Sequence, residues 1–389
     1  MAILFLVPAV GNEHLLEQRV AGLSLAERIC HHTQRSGIDH TLLAVSDTSG
    51  MALPGKFASC RYSSFHELDR LHIELCIVCK PGILPDKECL EWLKAVEVEP
   101  HQVAELSEGL FVFRPSDIGF ELERAFEPDG YHKLLDFLHT FLVRKPLACQ
   151  YGTIYDLTSP DKIKKAEKVM FRSLIKDTEG FMSRFVERRI SLAISRRLVN
   201  TSITPNQVTV ISVFIGLLGA WLISLGTGFW QVSGAILFLA HSIIDGCDGE
   251  IARIKFMESR LGGILDFWGD NIVHAAVFAA IGLEWWGRTG AVFPLFLSAT
   301  AVTATFISAL LISVSTMTKK DGKGPMYTSV SASKKKARVV KIADFLSRRD
   351  FIYLVVILAF FQHLDWFLVA SAIGTMVFVA MLVWIRLKD

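Results

Sequence analysis

The chain carries almost no net charge. Its 41 lysines and arginines stand against 39 aspartates and glutamates, leaving +2. Bulk electrostatics therefore offers little to a polyanion, and no nucleic-acid partner is expected. The seven cysteines are odd in number and scattered. They lack the rhythm of a disulfide framework and suit a reducing compartment. Internal repeats and low-complexity tracts are missing, which excludes a repeat architecture. The opening run MAILFLVPAVGNEH is apolar. It has neither a basic n-region nor a small-residue cleavage site, so it reads as a first strand rather than a signal peptide.

What the sequence does have is asymmetry. Its 389 residues are 51% hydrophobic, enough chain for two domains, and the apolar content is concentrated in the second half. Residues 1–150 read as an α/β domain. Ile3 to Val7, residues 40–47 and residues 73–79 are strand-like runs, and 23–38 and PDKECLEWLKAV have helical periodicity between and after them. Alternation of this kind argues for a mostly parallel sheet. Residues 151–200 read as a linker followed by a juxtamembrane helix. Ser159 and Pro160 form a helix start. The stretch 179–198 then sets Phe181, Phe185, Ile190, Leu192, Ile194 and Leu198 among five arginines. That is the composition of a helix lying on an anionic membrane surface.

Residues 201–389 read as an all-α bundle of six transmembrane spans: roughly 207–225, 229–247, 263–285, 291–316, 351–363 and 364–385. Four are long enough to cross a hydrocarbon layer of about 30 Å as single helices. The last two require a tight turn near Gln362–Asp365. Lysines and arginines crowd the stretch 319–349, whereas the loops 226–229, 284–290 and 362–365 hold one arginine between them. The positive-inside rule then places 319–349, the 248–262 loop, the N-terminal domain and the C-terminus in the cytoplasm. The expectation is an integral protein of the cell inner (plasma) membrane.

Four aspartates stand at the cytoplasmic mouth of these spans. Asp245 and Asp248 are three apart, and Asp266 and Asp270 are four apart. On helices each pair shares a face. An ionised carboxylate within a span costs about 2.5–3.5 kcal/mol on insertion scales, and four together repel. A divalent cation, or two, resolves both problems. Carboxylates without His or Cys suit Mg²⁺ or Mn²⁺, and two such ions suit displacement at phosphorus. Gly249 and Ala252 leave room on one helix face, and Arg253, one turn beyond Gly249, is placed to meet phosphate oxygens. Gly262 and Gly263 permit a close approach.

The run D-G-C-D-G-E-I-A-R, eight residues, G-G-I-L-D-F-W-G-D resembles the signature of the CDP-alcohol phosphotransferases, D-x2-D-G-x2-A-R-x8-G-x3-D-x3-D, at every fixed position. ITPNQVT (203–209) resembles the segment leading into that family's first span. The resemblance covers roughly 180–389. It implies a six-helix membrane enzyme, usually a homodimer, that moves a phosphoalcohol unit from a CDP-alcohol to an acceptor hydroxyl and releases CMP. It further implies that Asp245, Asp248 and Asp266 are metal ligands. Asp270 would approach the metals as well and act as the catalytic base. Gly249, Ala252, Arg253 and Gly262 would line the cytidine diphosphate site, with Asn206 assisting.

Residues 20–47 resemble the segment of sugar-nucleotide nucleotidyltransferases in which a "G-x-P-L-L-E-R" helix precedes the second strand. The departures are larger than the match. PAVGNEHLLEQR stands where a Gly-rich phosphate loop is expected, and Lys80-Pro81 where an acidic metal position is expected. A retained fold with a lost catalytic loop, acting as a scaffold or in binding, is the resulting expectation. The donor expected is CDP-diacylglycerol and the acceptor a polar phosphorylated alcohol, with inositol 1-phosphate and glycerol 3-phosphate leading. A CDP-inositol donor transferred to inositol phosphate is the alternative, and membrane lipids are the surroundings. Arg348 and Arg349 are the expected acceptor-phosphate residues. From another class, a metal or ion transporter would use the same aspartates. A pseudoenzyme that works through its soluble domain is a third reading. Cys76 and Cys79 point to opposite faces of a strand and make no zinc site. His241 and His274 flank the aspartates; His274, one turn beyond Asp270, is within reach of the site, with packing or hydrogen bonding as its expected role.

Overall fold

The computed structural model describes all residues except 1, 47–53, 56, 58–60, 63–72, 107, 118, 176–185, 318–350 and 389. It divides into two compact units, Met1–Arg172 and Ser173–Asp389.

In the first unit β1 (Ile3–Pro8) is buried along its whole length, as a central parallel strand requires. The short β2 (Arg19–Val20) and β3 (Leu23–Ser24) form a hairpin. It leads into α2 (Leu25–Ser36), which follows the five-residue α1 (Glu13–Glu17). Ser24 and Glu27 form a reciprocal capping box at the start of α2, and Gly37 ends it at φ +68°, a conformation that favours glycine. Next come β4 (His40–Ala44), β5 (Arg61–Tyr62), β6 (Leu75–Cys79) and β7 (Ile83–Pro85). They are followed by α3 (Lys87–Lys94), β8 (Gln102–Leu106) and β9 (Leu110–Phe113). Then α4 (Gly130–Phe141), β10 (Val143–Leu147), β11 (Ile154–Asp156) and α5 (Pro160–Arg172) complete the unit. Seven strands make one sheet in the order β10-β8-β9-β6-β1-β4-β5. β9 alone runs antiparallel to its neighbours. The sheet is therefore mostly parallel, with the strand-like runs of the sequence as three of its strands. Leu4, Leu6, Cys76, Val78, Phe111 and Phe113 pack on one face against Leu134 and Leu138 of α4.

Cys76 and Cys79 are both fully buried, and burial pushes both thiols well above the ordinary cysteine range. Neither can act as a thiolate ligand in the folded unit.

The second unit is helical. α6 (Arg188–Leu198) precedes α7 (Pro205–Ser224), α8 (Phe229–Ile254), α9 (Arg260–Thr289), α10 (Phe293–Met317) and the helices Phe351–Phe360 and Leu364–Lys388. Four described stretches are long and apolar enough to cross a membrane: Pro205–Ser224, Arg260–Thr289, Phe293–Val314 and Leu364–Trp384. Of the six expected spans, α8 carries Asp245, Asp248, Glu250 and Arg253 in its second half. Phe351–Phe360 has only ten residues. The turn expected near Gln362–Asp365 is present, with Gln362 at φ +61°. One boundary differs. α8 does not end at Asp248 but runs to Ile254, so the expected 248–262 loop shrinks to 255–259. The helical hydrogen bonds continue through Asp248-Gly249 to Ile254.

Small residues let these helices meet, as packing between apolar helices demands. A Cβ on Gly234 would sit 2.5 Å from the Gly219 carbonyl oxygen, and one on Gly219 would sit 2.8 Å from that of Gly234. α7 and α8 therefore cross in backbone contact.

Gly234→Val is expected to lower the stability of the helical unit by about 1–3 kcal/mol or more through overpacking. Gly374→Ala, where an added Cβ meets nothing within 4 Å, should leave it unchanged. Thermal melts followed by tryptophan fluorescence in detergent check both. Maleimide labelling of the native protein should reach the half-buried Cys149 and spare Cys76 and Cys79 until denaturant is added.

Candidate active site

α8 and α9 supply the aspartates. Asp245 is 2% exposed and Asp248 7%, and Asp266 is half-buried. One carboxylate oxygen from each lies within 4.8 Å of the others. Three oxygen donors from two helices, with no nitrogen or sulfur among them, match a hard divalent cation. The donor set therefore fits Mg²⁺ or Mn²⁺. Asp270 stands apart from this trio. Its Oδ1 lies 3.5 Å from Nε2 of His241.

Two residues stand against the aspartates: Thr209, which the sequence did not single out, and His241, which flanks them in sequence. Thr209, on α7, donates a short hydrogen bond from Oγ1 to Asp248 Oδ2. His241 is buried, and its Nδ1 lies 2.9 Å from the Ser212 carbonyl oxygen. A carbonyl only accepts, so Nδ1 is the donor and Nε2 is the atom turned to Asp270. A signal for each was present. Thr209 lies in the ITPNQVT segment, and His241 is one helical turn before Asp245. His274, the histidine singled out in the sequence, instead packs its ring 5.6 Å from Phe238 and 5.7 Å from Phe351. The expected packing role is thus what its surroundings show.

The arginine and the glycines fit together locally. The Arg253 side chain folds back along α8, so a Cβ on Gly249 would lie 3.2 Å from its Nη1. Arg253 Nε is buried with no hydrogen-bond partner. A buried donor left unmet is costly, and a phosphate oxygen would satisfy it. Ala252 is half-buried beside it. At the start of α9, a Cβ on Gly262 would lie 2.9 Å from Asn206 Oδ1. Asn206, at the start of α7, and Gly262 are therefore neighbours, as a shared site requires. Arg348 and Arg349 lie outside the described residues, as do Phe181, Phe185 and the basic stretch 319–349.

Carboxylates gathered on two apolar helices, with a guanidinium alongside, have the donor chemistry that suits a divalent cation and phosphate oxygens. Residues 202–384 match the family model of the CDP-alcohol phosphatidyltransferases and form a domain of that family. The Thermococcus kodakarensis bifunctional IPC transferase and DIPP synthase is 30% identical over 274 residues, 66% of this chain and 60% of that protein. The phosphatidylinositol phosphate synthase of Mycobacterium tuberculosis is 35% identical over 107 residues, 27% of this chain and 47% of that protein. The chain thus spans less than two thirds of the length of these relatives. A crystal structure of the Mycobacterium tuberculosis synthase with CDP-DAG bound aligns with 50% of this chain and 94% of its own, at 20% identity and a TM-score of 0.35.

Mn²⁺ titration followed by electron paramagnetic resonance tests the donor set without relying on turnover. Asp245→Asn, Asp248→Asn and Asp266→Asn should each weaken binding by about tenfold or more, and Thr209→Val by about tenfold, as loss of a supporting hydrogen bond does elsewhere. Asp365→Asn should leave it unchanged.

Proposed function

We propose that this protein is an integral membrane phosphotransferase that passes a phosphoalcohol group from a CDP-alcohol to an acceptor hydroxyl and releases CMP. The observation that carries the reading is one cluster. Three carboxylates lie within 4.8 Å of one another, and the same helix presents Arg253 with an unmet, buried Nε. Anionic and cationic groups so placed suit a metal-bound pyrophosphate.

In this reading Asp245, Asp248 and Asp266 hold the metal, one ion or two, with Asp270 bordering it. The ion, when bound, offsets charge on the pyrophosphate. Arg253 binds phosphate oxygens, and Gly249, Ala252, Gly262 and Asn206 leave space for the nucleotide and line it. Asp270 accepts the proton of the acceptor hydroxyl. That oxygen bonds to the phosphorus carrying the donor alcohol, the bond from this phosphorus to the bridging oxygen breaks, and CMP departs with the electron pair. His241 borders the Asp270 carboxylate through Nε2 at 3.5 Å.

CDP-diacylglycerol as donor and a phosphorylated alcohol as acceptor remain the leading pair. Among acceptors, inositol 1-phosphate is favoured over glycerol 3-phosphate, because a phosphatidylinositol phosphate synthase is among the relatives. A CDP-inositol donor is the second reading. It is favoured by the longer match, 66% of this chain, to a bifunctional IPC transferase and DIPP synthase. In either case six spans, a homodimer and a cytoplasmic site complete the proposal, supported by the basic stretch 319–349 and the positive-inside rule. Residues 1–150 serve as a scaffold. Arg348 and Arg349 are proposed to meet the acceptor phosphate.

CMP release by the purified protein in lipid tests this directly. With Mg²⁺ and CDP-diacylglycerol, inositol 1-phosphate should yield CMP, and Asp270→Asn should lower the rate by about 10²-fold or more, as loss of a positioned base does. Activity with CDP-inositol alone would replace the donor and keep the chemistry. Metal binding without CMP from any donor and acceptor would sink the enzyme reading in favour of transport.

A further inference from the structure

Glu250 occupies one of the variable positions between Gly249 and Ala252, and no step of the transfer uses it. Its carboxylate is nonetheless completely buried. Oε1 accepts from Arg188 Nη1 at 3.0 Å and from Ser191 Oγ at 2.6 Å, and Oε2 accepts from Ser195 Oγ at 2.6 Å. All three donors belong to α6. This is not the face expected of a helix that merely floats on a membrane. Ser191 and Ser195 point inward, while Ile190 is 43% exposed.

The geometry works as a gauge. Ser191 and Ser195 are one turn apart, and each meets its own oxygen of a single carboxylate. Only one rotation and one axial register of α6 on α8 satisfy both. Arg188 reaches the carboxylate past Gly246, where a Cβ would lie 3.4 Å from Nη1. The Cys247 thiol adds a contact to the Ser191 carbonyl oxygen at 3.5 Å.

The clasp sits beside Gly249 and one turn before Arg253. The Arg253 Nε has no hydrogen-bond partner, so its aim depends on the α8 backbone and on nearby charge. Arg188 and Glu250 are both among the charges that act on it. We propose that Glu250 is a positioning residue for the transfer. By locking α6 onto α8 it fixes the pose in which Arg253 meets the phosphates of the donor. The inference rests on Arg253 being the phosphate-binding group of the function proposed above.

Steady-state CMP release in lipid, with donor and acceptor varied separately, tests it. Glu250→Gln keeps the shape of the side chain and removes its charge. The KM for the CDP-alcohol should rise about tenfold, while the KM for the acceptor and the Mn²⁺ affinity stay within about twofold. A role confined to folding would lower the yield of active protein and leave the donor KM where it was. Ser195→Ala, which spares the Arg188–Glu250 pair, should raise the donor KM by about threefold. It decides the matter if Glu250→Gln fails to fold. An unchanged donor KM in folded variants of an active protein overturns the clasp alone. A wild type that releases no CMP overturns the transfer reading and the clasp with it.

Discussion

Acids seated among apolar helices are the constraint on which the second unit depends. A carboxylate inside a span costs about 2.5–3.5 kcal/mol even by lenient scales, and α8 alone buries Asp245, Asp248 and Glu250. Each has a counterpart of a different kind. Glu250 has an arginine and two serine hydroxyls from α6. Asp248 has the Thr209 hydroxyl from α7. Asp245 and Asp248 also converge with Asp266 from α9. A divalent cation is the complement that trio fits.

These pairings need short distances between backbones, and the glycines provide them. Thr209 reaches Asp248 because α7 and α8 cross with the Gly219 and Gly234 backbones in contact. Asn206 reaches the start of α9 because Gly262 has no side chain in its way. The stability of the crossing and the placement of the acids are thus one property. A bulkier residue at either glycine would push α7 from α8 and carry the Thr209 hydroxyl away.

Much of this was legible in the sequence, and the remainder has physical reasons for being hidden. The strands of the first unit could be read because buried strands are short apolar runs bounded by turns. Asp245, Asp248 and Asp266 could be read because helical spacing puts charged residues together where charge is expensive. Asp270 shares its face of α9 with Asp266 by the same spacing, and the structure adds a neighbour that the spacing does not reveal, His241 Nε2 at 3.5 Å. α8 runs past its apolar span to Ile254, because polar residues end a hydropathic run without ending a helix. Glu250 was not legible, and Thr209 was legible only as a member of the 203–209 segment, for a related reason. A buried acid and a solvated one look alike in one dimension, and the partners that distinguish them lie on α6 and α7, 55 and 39 residues away.

The continuation of α8 to Ile254 also explains how one helix serves two tasks. Successive residues turn by about 100°. Measured from Asp245, Asp248 then lies at about −60°, Ala252 at about −20° and Gly249 at about 40°, a single stripe holding the residues proposed for the metal and nucleotide. Gly246 and Glu250 lie at about 100° and 140°, a second stripe facing α6. Arg253, at about 80°, falls on the seam between them. Its guanidinium can lean over Gly249 toward the site while its stem borders the clasp. A helix ending at Asp248 would leave Arg253 in a loop, with neither stripe to fix its bearing. The unbroken turn from Gly249 to Arg253 places the guanidinium proposed to bind phosphate on the same continuous helix as Asp245 and Asp248, next to the contact with α6.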